Sequence, residues 1–82
     1  MPEPKIEYPR TWAFKVIGED PGRILEAIGR VLADREYECE PSNLSRTGKY
    51  RSFSLHTRVE SEQDRDRVFF ALRDDEAVTV VL

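Results

Sequence analysis

The sequence predicts an α+β sandwich in which a four-stranded antiparallel sheet carries two helices on one face. Three observations lead there. Thr11 to Ile17 and Tyr50 to Val59 alternate apolar and polar residues with the period of two of a half-buried strand. Ile24, Ile28, Val31 and Leu32, then Val68, Phe69 and Leu72, recur at helical spacing. With a strand-like run after the first helix and another closing the chain, the order is β-α-β-β-α-β. At 82 residues the chain holds one small domain and not two.

Residues 1–9 contain three prolines and no periodicity, and read as a flexible arm before a single domain spanning 10–82. In the first strand Trp12, Phe14 and Val16 share a face, and Gly18 ends it. Asp20-Pro21 reads as an N-cap followed by proline at the first helical position, where the missing N–H costs nothing. Ile24, Leu25, Ile28, Val31 and Leu32 form the apolar stripe of the first helix. Gly29, beside that stripe, is expected to let the helix approach the sheet. Tyr37 to Leu44 is the second strand, and Pro41 assigns it to a sheet edge or a bulge because proline cannot donate to a ladder. Thr47-Gly48 supplies the reversal, with Gly48 free to take positive φ.

In the third strand Arg51, Phe53, Leu55, Thr57 and Val59 point one way, and Tyr50, Ser52, Ser54, His56 and Arg58 the other. Ser61-Glu62-Gln63-Asp64 resembles a capping box with a shortened acid and opens the second helix, which Phe70 widens and Asp74-Asp75 ends. Ala77 to Leu82 is the last strand. Right-handed crossovers put the first and third strands in the centre of the sheet, the arrangement of the ferredoxin-like fold. Trp12, Phe14, Phe53 and Leu55 should then meet Ile24, Ile28, Leu32, Val68, Phe69 and Leu72, leaving the other sheet face polar and uncovered.

Composition narrows the function classes. The net charge of −3 weighs against non-specific nucleic-acid binding, which needs a positive surface. A single cysteine, a polar N-terminus and the lack of any ~20-residue apolar run lead to the expectation of a cytoplasmic protein. One His and one Cys make no metal-ligand cluster, and no cofactor motif stands out. Gly18 to Gly22 is not a phosphate loop, since Glu19 and Asp20 repel an anion at that helix start. His56 reads as an exposed strand histidine and Cys39 as a half-buried edge cysteine, so no enzyme is expected.

What remains is a basic stretch inside an acidic chain. Arg46, Lys49, Arg51 and Arg58 lie between Ser45 and Arg58 without an acid among them. After division by alternation, the candidate ligand- or partner-binding residues are Lys15, Arg46, Lys49, Tyr50, Ser52, Ser54, His56 and Arg58. These donors suit a carboxylate-bearing ligand or an acidic protein. The alternative is weak single-stranded RNA binding, because RNA-recognition motifs share this topology. With Trp12, Phe14 and Phe53 in the core, only Tyr50 and His56 would be left to stack on bases.

Tyr8 to Gly18, with its aromatic-proline pair and Lys-Val-hydrophobe-Gly ending, resembles the first strand of the bacterial YbeD-like proteins. Ser45-Arg46-Thr47-Gly48-Lys49-Tyr50-Arg51-Ser52 is similar to their Ser-basic-x-Gly-x-Tyr-x-Ser hairpin, and Val80-Val81-Leu82 to their terminal strand. Asp34 to Tyr37 departs from it, a short junction in place of a longer Pro/Gly loop. The resemblance implies a ferredoxin-like fold similar to ACT regulatory domains, a molecular function that is unknown, a lipoate-regulatory label and no catalytic residues to carry over. The expectation is therefore a non-enzymatic regulatory or interaction module. It would bind a protein partner or small effector through its open face or a strand edge, where a homodimer could also form.

Overall fold

A computed structural model of the chain describes residues 6–42 and 48–82. Its elements are β1 (Arg10–Gly18), α1 (Pro21–Leu32), β2 (Tyr37–Ser42), β3 (Arg51–Val59), α2 (Glu62–Arg73) and β4 (Val80–Val81). The sheet order is β2-β3-β1-β4 and every neighbouring pair is antiparallel. Along β1 and β3, Trp12 lies opposite Thr57, Phe14 opposite Leu55 and Val16 opposite Phe53. Alternation sends these side chains to the helical side, where Phe14, Val16, Phe53 and Leu55 pack on Ile24, Ile28, Leu32, Val68 and Leu72. The ferredoxin-like arrangement read from the sequence is the one observed.

Both helix starts follow their local chemistry. The Asp20 carboxylate accepts from the backbone N–H groups of Gly22 and Arg23, and Pro21 opens α1. At α2 the Ser61 hydroxyl accepts from the Asp64 N–H at 3.0 Å. The Asp64 carboxylate does not close the box on Ser61; it accepts from the Glu60 N–H at 2.9 Å and from both Nη atoms of Arg35. Arg35 also reaches the Arg58 carbonyl at 3.3 Å. A single buried acid thus ties the start of α2 to the α1–β2 junction. The guanidinium, followed by the Glu60 N–H, holds the Asp64 carboxyl well below its ordinary value, at about 2.

Four expectations are corrected. Leu25 is exposed, and Ala27 takes its place in the buried face of α1. Phe70 widens nothing: it is 45% exposed, with Arg73 over its ring. The closing strand shrinks to two residues because Asp75 folds the preceding segment into a turn. Its carboxylate accepts from the Ala77 N–H and its carbonyl from the Val78 N–H, both at 3.0 Å. Finally, Gly29 does not serve close packing. A Cβ there would meet only the Tyr37 hydroxyl, at 3.9 Å. Gly29→Ala is therefore expected to raise stability by about 0.5–1 kcal/mol, read as an upward shift in denaturant midpoint with unchanged slope. A fall would show that α1 needs the glycine.

Pro41 sits where the ladder asks nothing of it. Lys15 exchanges hydrogen bonds with Leu82 and the Ile17 carbonyl accepts from the Thr79 N–H, on the β4 side, so alternation turns the peptide groups of Phe14 and Val16 toward β3. Carried across the sheet, the same rule turns Glu38, Glu40 and Ser42 toward β3 and Pro41 toward the outer edge. Gly48 adopts φ of +75°; Thr47, the other half of the reversal read from the sequence, and Leu44, the expected end of the second strand, lie outside the described residues.

Candidate functional site

Both helices pack on one side of the sheet, so among the described residues the other side carries a ladder of side chains with no layer over it. Two rungs cross its middle. Glu38 lies opposite His56, which lies opposite Ala13; Glu40 lies opposite Ser54, which lies opposite Lys15. Lys15 and Glu40 thus stand one on each side of Ser54, about 10 Å apart at the usual strand spacing, with no ion pair between them. Next to the first rung, Thr11, Glu38, His56 and Arg58 line an open hollow of about 420 Å³.

The structure brings together only part of the basic set read from the sequence. Lys15, Ser54 and His56 share the centre of the face. Arg58 lies at one end, ion-paired with Glu60 at 3.4 Å. Lys49 and Tyr50 lie beyond the other end of β3, with the Lys49 ammonium 5.2 Å from the Tyr50 ring and 3.7 Å from Glu19. Arg58 and Lys49 are separated by about 30 Å of strand, so they do not form one site. Ser52 is only 4% exposed and its hydroxyl donates to the Ser42 carbonyl at 3.0 Å, a cross-strand tie and not a ligand contact. Arg46 lies outside the described residues.

Reading β3 alone overlooks Glu38 and Glu40. These two acids turn a basic strand into a face of mixed charge. Their signal is the period of two in Glu38-Cys39-Glu40-Pro41-Ser42, which becomes legible once Pro41 fixes β2 as the edge paired with β3. The same register separates the residues a nucleophilic mechanism would need. Cys39 lies opposite Leu55 and packs against the core, whereas His56 points to the open side. Burial, then the neighbouring Glu40 charge, pushes the Cys39 thiol up, away from the reactive thiolate. Among the described residues no three His, Cys, Asp or Glu side chains gather as a metal site. Among the described residues no helix is long and apolar enough to cross a membrane.

A second feature lies on the helical side, at the edge of β1. Trp12 is only half buried and is surrounded by its own cage. Tyr8 stacks on it (centroids 6.4 Å apart, planes at 17°), and the guanidinium carbons of Arg65 and Arg10 lie 4.8 and 5.2 Å from its ring centre. Arg65 also donates to the Tyr8 hydroxyl at 3.0 Å, so Tyr8, placed by the sequence in the arm, is held against the domain.

This order of strands, with both helices on one side of the sheet, defines a ferredoxin-like α+β fold similar to that of ACT domains. The ACT domain from the GTP pyrophosphokinase of Chlorobium tepidum superposes with a TM-score of 0.65 at 16% identity, over 90% of this chain and 96% of that one. Residues 3–82 match the model of the family described as "Protein of unknown function (DUF493)", and the chain belongs to this YbeD-like family. The uncharacterized protein Cj0253 of Campylobacter jejuni is 41% identical over 71 residues, 87% of this chain and 82% of that protein. A UPF0250 protein of Hahella chejuensis is 32% identical over 83 residues, 96% and 91% of the two chains. The solution structure of protein HP0495 from H. pylori superposes with a TM-score of 0.81 at 26% identity, over all of this chain and 94% of that one.

Proposed function

We propose that the chain is a non-catalytic regulatory or interaction module whose uncovered sheet face holds a small charged effector. The observation that carries this reading is the pair Lys15 and Glu40, on either side of Ser54 and with no ion pair to either among the described residues. A ligand with both a carboxylate and an ammonium group meets both charges, while Ser54 and His56 supply hydrogen bonds between them. A ligand with only phosphate or carboxylate charge meets Glu38 and Glu40 as repulsion. The same repulsion weighs against single-stranded RNA, whose backbone would cross that face.

Calorimetric titration with amino acids, simple dicarboxylates and a short oligouridylate tests the reading. A zwitterionic amino acid is expected to bind, and Lys15→Glu and Glu40→Lys are each expected to weaken it by roughly tenfold or more, the equivalent of one charge-assisted contact. Salt-sensitive binding of the oligouridylate alone, or ligand affinity untouched by both substitutions, contradicts it.

A further inference from the structure

The two directions along the open face from the Lys15–Glu40 rung differ. Toward the end of β1 the next rung carries Ile17, Ser52 and Ser42, and Ser52 is buried with its hydroxyl on the Ser42 carbonyl. Toward the start of β1 the next rung carries Ala13, His56 and Glu38, and beyond it Thr11 lies opposite Arg58. The hollow of about 420 Å³ lies on this second side, walled by Thr11, Glu36, Glu38, His56 and Arg58. Ala13 ends in a methyl group, so β1 raises little over the His56 rung.

Charge selects what fills the hollow. Arg58 is already paired with Glu60 at 3.4 Å. Glu36 and Glu38 have no cation partner among the described residues, and neither has Glu40, the acid that faces the effector's ammonium group. A neutral side chain in the hollow leaves two carboxylates unanswered, an acidic one is repelled by both, and a cationic one is attracted to both. Strand spacing then sets its length. Successive rungs are about 7 Å apart. An extended chain of four methylenes holds an ammonium about 6 Å from its α-carbon. With the α-carbon over Ser54, that ammonium comes within reach of Glu38.

We infer that the effector is an amino acid with a long cationic side chain, of the length and charge of lysine. Its carboxylate meets Lys15, its α-ammonium meets Glu40, and its terminal cation meets Glu38, with Glu36 adding to the negative field of the hollow. The face is open to water, which screens each contact, so the terminal charge is worth about tenfold in affinity. The inference rests on the reading of the open face as an effector site and adds the class of ligand.

Calorimetric titration of the full chain with lysine, norleucine, 2,4-diaminobutyrate and glutamate tests it. Norleucine keeps the zwitterion and the four-carbon side chain without the terminal charge, and 2,4-diaminobutyrate keeps the charge without the reach. Lysine is expected to bind about tenfold or more tighter than each of the others. Glu38→Gln should bring the lysine-to-norleucine ratio close to one, and Lys15→Glu should weaken both ligands together. The inference is overturned by lysine affinity equal to that of norleucine or 2,4-diaminobutyrate, by tighter binding of glutamate, or by a lysine preference that survives Glu38→Gln. Each of these leaves an amino-acid effector on the open face. Failure of all the amino acids to bind at millimolar concentration overturns the inference and the effector reading together.

Discussion

Gly18→Ala is expected to lower the stability of the domain by about 3 kcal/mol, a fall of roughly 15 °C in the midpoint of thermal unfolding for a chain of this size. Gly18 closes β1 where the chain to β4 crosses it. A Cβ there would run into the Ala77 carbonyl oxygen and press on two carbons of the buried Ile24 side chain at 3.0 Å. A carbonyl in the Asp75–Val78 turn cannot move without loosening β4, whose hold on β1 is two residue pairs and a few hydrogen bonds. Gly22→Ala is the control, since its Cβ would touch only the Asp20 carboxylate at 3.4 Å. Equal midpoints for the two variants would show that the crossing is looser than described.

Asp64→Ala is expected to cost about 2–3 kcal/mol at neutral pH, measured by denaturant unfolding. It leaves the half-buried Arg35 guanidinium and the Glu60 N–H without their shared acceptor. The sign of the pH dependence follows from the depressed carboxyl. With a folded value of about 2 against an ordinary 3.8, the pair stabilises fully above the ordinary value, and the gain disappears as pH falls through 4 toward 2. Asp64→Asn should therefore be less stable than the parent at pH 7 and nearly equal to it at pH 2. Asp75 is also held below its ordinary value, first by the Ala77 N–H and then by Arg30, so acid sensitivity is reduced in Asp64→Asn but not abolished. Parallel stability profiles for parent and variant would contradict this assignment.

The layout was legible because each element carried its own local signal. The alternation in β1 and β3 sorted Phe14, Val16, Phe53 and Leu55 from the polar face, and Asp20-Pro21 and Ser61 marked the helix starts. Elements failed where a distant group set the outcome. Ala77 and Val78 have strand propensity, yet the Asp75 carboxylate claims that segment for a turn. Trp12 belongs to the apolar face of β1 but lies toward the strand's start, at the margin of the core. Its ring packs partly on the core, and Tyr8, Arg10 and Arg65 finish it. Phe70 lies two residues from both Val68 and Leu72, which turns it away from their buried stripe.

The candidate site was half legible for a related reason. Lys15, Ser54 and His56 could be placed from strands with clear alternation. Glu38 and Glu40 lie on the strand with the weakest pattern, and only its pairing with β3 shows that they face the same solvent as His56.

An amide shift map of the isotopically labelled chain, recorded with and without a bound zwitterionic amino acid, tests the central claim most directly. If the uncovered sheet face is the working surface, the perturbed amides are those of Lys15, Glu38, Glu40, Ser54 and His56, while the solvent side of α1 around Leu25, Glu26 and Arg30 stays unmoved. Shifts that gather on α1 and leave the sheet silent would place the function on the helical layer and contradict the account.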